Sequence, residues 1–243
     1  ITPSDITGFS LVNIKTGDME FRPGPVMSQI VLADEINRTS PKTQSSLLEV
    51  MEEGQVTVDG TTYRMPSPFI VLATQNPVDF VGTYPLPEAQ LDRFFMRVAI
   101  GYPSQDEEMD ILDRFSGNAK PMEELRPICT SKDILSLQRA VGTVYASREV
   151  RAYVAMIAAA SRKYSGLQLG ISTRAAISLL RAAQARSMLA GRDYVIPEDI
   201  QAMAQSVLAH RIVLSPEARM RSITPERALA AVMGSVQVPV KLK

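Results

Sequence analysis

Two adjacent carboxylates, Asp34 and Glu35, close the apolar run Gln29-Ile30-Val31-Leu32-Ala33. An apolar run without alternation fits a strand buried on both faces, as in a parallel sheet covered by helices. In open α/β sheets the ligand crevice lies beyond the carboxyl ends of the strands, which places both acids at that edge. Neighbouring side chains on a strand point to opposite faces, so the two carboxylates should do different work. In nucleotide hydrolysis one acidic group helps hold Mg²⁺ and another residue positions the attacking water. The competing reading is a buried strand capped by two solvated acids, and this stretch alone supports both equally.

Phe69-Ile70-Val71-Leu72-Ala73-Thr74-Gln75-Asn76-Pro77 repeats the design: an apolar run that ends in polar groups. Two buried strands joined by a helical crossover lie parallel, with their ends at one edge. Asn76 could then approach the crevice that holds Glu35, and Gln75 or Asn76 could bind water or phosphate there. The alternative is an Asn-Pro turn that simply leaves a strand. Arg93 follows Asp92 at the end of a short helix started by proline (Tyr84 to Arg93) and just before the apolar stretch 94–100, which reads as a last core strand. An isolated Asp-Arg pair is usually a surface ion pair of little weight, but this position makes Arg93 available to a neighbouring subunit. Arg174 stands in the first turn of a helix, directly after Gly170-Ile171-Ser172-Thr173. The single histidine, His210, and the single cysteine, Cys129, have no partners of their kind. A packed or surface imidazole is therefore expected, with no disulfide and no thiolate metal site.

The elements that must position these residues read as follows. Residues 9–14 and 19–22 flank the turn Lys15-Thr16-Gly17-Asp18 and form a hairpin. A helix spans 42–53, with Leu47, Leu48, Val50 and Met51 as its apolar face and Gly54 as its stop. A second hairpin follows, turning on Asp59-Gly60, a type I′ signal. Beyond Pro103 strand signals are sparse, and helices are expected near 104–115, 131–146, 148–164, 173–190, 197–213 and 224–236. With 243 residues and 45% hydrophobic content, the chain is long enough for a packed core of one or two domains. The 26 basic and 26 acidic residues cancel, which argues against wholesale binding to nucleic acid or an anionic membrane. The longest apolar runs are far too short to span a bilayer. A soluble, cytoplasmic protein is expected.

The stretches IVLADEINRTSPKTQSSLLEVMEEGQVTVDG and IVLATQNPVDFVGTYPLPEAQLDRF closely resemble the MoxR group of AAA+ ATPases, and the resemblance extends over the chain. It implies ATP and Mg²⁺ as cofactors. Residues 30–35 then resemble the Walker B strand, with Asp34 on Mg²⁺ and Glu35 polarising the hydrolytic water. Asn76 matches the sensor 1 position, Arg93 the arginine finger that reaches the nucleotide of the adjacent subunit, and Arg174 the sensor 2 arginine of the helical lid. The hairpins resemble the helix-2 insert and the pre-sensor 1 hairpin. The implied fold is α/β: a parallel AAA+ core with two hairpin inserts, followed by an all-α lid. The implied division is 1–103 for the core, 104–130 for a linker and 131–243 for the lid. The implied activity is ATP hydrolysis by a ring, expected to be a hexamer, that remodels or matures partner proteins, some with a von Willebrand A domain.

One departure is plain. The family's phosphate loop, GxxxxGK[ST], is absent, and no Gly-Lys dipeptide occurs in the 243 residues. The chain is accordingly expected to be the C-terminal part of such an ATPase, with an N-terminally incomplete core that begins inside the helix-2 insert. By itself it is expected to bind ATP no tighter than about 1 mM. Two other readings stay in view. One is a non-hydrolysing scaffold that contributes an interface. The other is a DNA-acting motor, which the weakly basic hairpins disfavour because Asp18, Glu20 and Asp59 offset their cations.

Overall fold

In a computed structural model, which describes residues 2–76, 82–116 and 125–239, the chain opens with the short helix α1 (Pro3–Thr7). It leads into an antiparallel hairpin of β1 (Gly8–Val12) and β2 (Met19–Pro23). Next come β3 (Ile30–Ala33), a 3₁₀ turn (Ile36–Arg38) and α2 (Pro41–Glu53). The start of α2 is set by Ser40, whose hydroxyl accepts from the Thr43 amide at 3.3 Å, and by Pro41 in the first turn. Its end is set by Gly54 in the left-handed conformation, φ +62°. Gln44 of α2 is buried, and its Nε2 faces the carbonyls of Ile36, Thr39 and Tyr84 at 2.9–3.3 Å. That one amide ties the turn after β3 to the segment that leads toward Arg93.

A second hairpin, β4 (Gln55–Val58) and β5 (Thr61–Arg64), turns on Asp59 and Gly60, both with positive φ as a type I′ turn requires. Phe21 of the first hairpin stacks on Tyr63 of the second, with ring centroids 3.9 Å apart. The chain then returns to β6 (Ile70–Ala73). This strand pairs parallel with β3 in the register Ile30–Ile70 through Ala33–Ala73, which brings the polar ends of both strands to one edge as expected. α2 packs beneath the sheet in a cluster that includes Val26, Ile36, Leu47, Leu48, Val50, Val56 and Leu86. Burial on both faces is not what the structure shows. Val31, Ala33, Val71 and Ala73 pack on this cluster, while Ile30 and Leu32 are 67% and 66% exposed. Side chains alternate along the strand, and among the described residues no helix covers the second face.

α3 (Glu88–Leu91) is the short helix before Arg93, and α4 (Gln105–Phe115) follows. The core strand expected over 94–100 does not form. Its backbone groups are bonded instead to helical residues further along the chain: the Phe94 and Phe95 carbonyls accept from Arg211, and the Arg97 amide donates to the Ser206 carbonyl at 2.8 Å. Residues 77–81, which include Pro77, and 117–124, within the expected linker, lie outside the described residues.

The C-terminal part is helical. It comprises α5 (Ser131–Val141), α6 (Arg148–Lys163), the strand β7 (Leu167–Leu169), α7 (Thr173–Leu189), α8 (Pro197–Leu208), a 3₁₀ turn (Ala209–Arg211), β8 (Val213–Leu214), α9 (Pro216–Met220) and α10 (Pro225–Gly234). Tyr153, Ile157, Leu179, Ile200, Leu208 and Val232 form the centre of its core. Two helices are shorter than their apolar patterns suggest. α5 stops at Val141 before Gly142, and α8 tightens into 3₁₀ geometry at Ala209. The small antiparallel pair β7–β8 was not legible in the sequence. Among the described residues no helix is long and apolar enough to cross a membrane.

Candidate functional site

Asp34 and Glu35 leave the carboxyl end of β3, and Thr74 to Asn76 leave the end of β6 beside them. Thr74 stands opposite Asp34 and fastens the two exits together. Its hydroxyl donates to Asp34 Oδ1 at 2.5 Å and accepts from the Glu35 amide at 2.8 Å. The Ile36 amide donates to the Thr74 carbonyl at 3.0 Å, which completes the turn. Glu35 adopts φ +48° and ψ +52°, a left-handed conformation uncommon for a residue with a side chain. The conformation redirects the chain sharply after β3. The Glu35 carboxylate lies 3.0 Å from Arg38 Nε through one oxygen and 3.5 Å from Asn76 Nδ2 through the other. Asn37, buried below, donates from Nδ2 to the Asn76 carbonyl at 3.2 Å. Three of the five expected site residues, Asp34, Glu35 and Asn76, are therefore neighbours at one sheet edge, with Thr74 and Arg38 as additions.

The other two are neighbours elsewhere. Arg93 Nε lies 3.3 Å from Glu52 Oε2, and Arg174 Nη2 lies 2.5 Å from Glu52 Oε1. Glu52 is in the last turn of α2, whereas Glu35 precedes the 3₁₀ turn that leads to its first. A 13-residue helix is about 20 Å long at 1.5 Å per residue, so the two cations sit at the far end of α2 from their own subunit's acidic edge. The hydrogen bond from Arg174, then the charges of Arg174 and Arg93, hold the Glu52 carboxyl below its ordinary value. An open cavity of about 350 Å³, lined by Ser45, Glu49, Glu52, Glu53, Gln90 and Arg93, lies beside the pair. Arg93 does not pair with Asp92; that carboxylate faces Arg211 at 3.6 Å. In the sequence Glu52 looks like one of several solvated acids on a helix, and nothing local marks its role.

His210 and Arg211 form a buried polar group on the helical part. His210 Nε2 lies 3.1 Å from the Phe94 carbonyl and 3.3 Å from Arg211 Nε. In a neutral ring it serves one of them, as donor in one tautomer and acceptor in the other. Burial, with the nearby charges of Arg211 and Arg97, pushes the imidazole below its ordinary value of 6.5; the Phe94 carbonyl and Asp92 oppose the shift. The folded-state value lies beneath the unfolded one, so below 6.5 the unfolded chain holds more protons. Stability contributed here is present at neutral pH and falls as the pH drops. Denaturant midpoints at about pH 7.5 and about pH 5.5 should differ more for the wild-type chain than for His210→Asn. An equal pH response in both proteins would assign the effect to other groups.

The sequence comparisons agree with this layout. Residues 1–96 match a model of the ATPase family associated with various cellular activities (AAA), and residues 159–232 match an AAA lid domain. The chain is 52% identical over 241 residues to YeaC of Bacillus subtilis, covering 99% of this chain and 75% of that protein. It is 39% identical over 248 residues to the chaperone MoxR1 of Mycobacterium tuberculosis, covering 98% of this chain and 65% of MoxR1. A crystal structure from Cytophaga hutchinsonii superposes with a TM-score of 0.90 at 39% identity, over 99% of this chain and 75% of that one. The fold is that of an AAA+ ATPase with a C-terminal lid domain, and the chain belongs to the MoxR family of AAA+ ATPases.

Proposed function

We propose that this chain forms the hydrolytic edge and the intersubunit cations of a ring-forming, Mg²⁺-dependent ATPase that acts on partner proteins in a chaperone-like way. Exposed carboxylate oxygens beyond a parallel sheet are hard ligands suited to Mg²⁺, and Asp34, held from behind by the Thr74 hydroxyl, would carry the ion. When bound, the ion neutralises charge on the phosphate oxygens. Glu35 orients and polarises the water, and Asn76, 3.5 Å from it, fixes the direction of attack on the terminal phosphate. Arg93 and Arg174 meet the charge that builds on the transferred phosphoryl group. Arginine suits that task because it stays charged and can bond two oxygens together.

The observation that carries this reading is the separation of the two groups along α2. Cations held at the far end of α2 from their own subunit's acids complete a site only when a second subunit docks head to tail, which is the contact that closes a ring. On this reading the core spans 1–103 and the lid 131–243, and the two hairpins are the helix-2 insert and the pre-sensor 1 hairpin. They face the ring axis or the partner. The partner class implied by the family is a protein with a von Willebrand A domain, and the working ring is a hexamer.

The test uses a protein that carries this chain downstream of a phosphate-binding loop. ATP turnover per subunit should require Mg²⁺ and should rise with protein concentration until rings are complete. Turnover per subunit that stays constant on dilution to monomers would remove the intersubunit site.

A further inference from the structure

Arg211 is a buried cation, with its side chain only 2% exposed. A buried guanidinium costs several kcal/mol unless its donors are matched; among the described residues Nη1 has no hydrogen-bond partner, and the partners of Nη2 come from one remote segment. Nη2 donates to the Phe94 carbonyl at 2.6 Å and to the Phe95 carbonyl at 3.2 Å. Nε lies 3.6 Å from Asp92 Oδ1 and 3.3 Å from the neighbouring His210 ring. Asp92, Phe94 and Phe95 flank Arg93 on both sides. Two residues on, Arg97 continues the attachment: its amide donates to the Ser206 carbonyl at 2.8 Å, and its guanidinium reaches Glu226 at 2.5 Å. The Arg93 side chain points away from this anchorage, to Glu52, where it meets Arg174 from the lid's own α7.

The segment that carries Arg93 thus packs on the core through Leu91 and Phe94 and is fastened by hydrogen bonds to the lid from Phe94 to Arg97. We propose that Arg211 is a positioning residue for Arg93: its guanidinium fastens the carbonyls that follow Arg93 and faces the Asp92 carboxylate that precedes it, so the finger and Arg174 are presented to the neighbouring subunit as one unit held in register with the lid. This rests on the reading of Arg93 as a cation supplied to the neighbour. Lysine is a poor replacement, because one ammonium cannot stand both where Nη2 meets the two carbonyls and where Nε faces Asp92.

The kinetic test uses rings of a protein carrying this chain downstream of a phosphate-binding loop. A misplacement of about 1 Å at a catalytic group can cost on the order of 10²-fold. Arg211→Lys and Arg211→Met should therefore lower kcat by about that factor while KM for ATP changes by less than about threefold. The defect should lie in the subunit as donor. Its own Asp34 and Glu35 are intact, so mixing Arg211→Lys with Glu35→Gln subunits should restore activity, as mixing Arg93→Ala with Glu35→Gln should. If the Arg93→Ala mixture recovers and the Arg211→Lys mixture does not, Arg211 is not a positioning residue. If neither recovers although mixed rings form, the trans reading of Arg93 itself fails. Should Arg211→Met not fold, Asp92→Asn weakens the same clamp from the loop side and should show the same rescue.

A second readout uses the 243-residue chain and needs no turnover. The chain contains no Trp, so Phe95→Trp supplies the sole indole, on the clamped segment. Adding Arg211→Lys should lower its fluorescence anisotropy while the lid's thermal transition persists. Unchanged anisotropy would show that the segment is held without Arg211.

Discussion

Glu35→Gln is expected to keep ATP binding and to lose turnover by a factor on the order of 10²–10⁴, the range a general base contributes. The amide keeps the shape and can still meet Asn76, but it cannot draw a proton from the attacking water. The geometry makes the substitution a mild one for the fold. The Glu35 side chain is about a third exposed, and its partner Arg38 is half exposed, so the pair contributes about 0–1 kcal/mol to stability. The features that shape the turn are backbone ones: the Glu35 amide on the Thr74 hydroxyl and the Ile36 amide on the Thr74 carbonyl. Neither is touched by the change. The measurement pairs steady-state turnover with equilibrium binding of a fluorescent ATP analogue, in a protein that carries this chain downstream of a phosphate-binding loop. Turnover close to wild type would return Glu35 to the role of a solvated cap on β3. A joint loss of binding and melting temperature would assign it to structure instead.

The layout of the acidic edge was legible because it is local. The repeated Ile-Val-Leu-Ala of β3 and β6 fixes both the strand type and, once the strands are laid side by side, the register. That register also places Thr74 opposite Asp34, one residue before Gln75 and Asn76. Exposure of one sheet face was not legible, because alternation of burial is a property of what packs on the sheet and Ile, Val and Leu occupy both faces here. The segment 94–100 has a strand's composition, yet its hydrogen bonds go to Arg211 and Ser206, and no periodicity encodes a partner more than 100 residues away. Glu52 and Arg211 escaped for the same reason. A glutamate on a helix and a His-Arg pair at the end of an apolar run acquire meaning only from remote residues.

These two remote groups have different energetic characters, and the difference bears on function. Arg211 is enclosed, so its bonds are costly to break and hold a fixed geometry. Glu52 and its arginines are a third to a half exposed, so that cluster is cheap to rearrange. A carboxylate that holds two arginines weakly can give them up to a phosphate that binds them more strongly. The backbone carrying Arg93 stays clamped while its side chain remains free to change partners.

Arg93→Ala should accordingly leave the fold nearly intact and abolish most of the catalysis. The partly solvated pair with Glu52 contributes little to stability, so the melting temperature should barely move. Turnover should fall by a factor on the order of 10³, the low end for arginine fingers in phosphoryl transfer. The variant subunit retains its own Asp34, Glu35, Thr74 and Asn76, so the defect should be complementable. In a ring mixed from Arg93→Ala and Glu35→Gln subunits, some interfaces pair an intact Glu35 with an intact Arg93 from the neighbour, and those sites should turn over. A cation acting within its own subunit could not be rescued in this way, because every subunit would bring its own lesion to its own site. The placement of Arg93 against Glu52, in the last turn of α2, already disfavours that arrangement. Mass photometry must show that the mixed rings assemble. If they do and the mixture remains as inactive as its components, Arg93 is a structural partner of Glu52, and the charge on the transferred phosphate must be met by another residue.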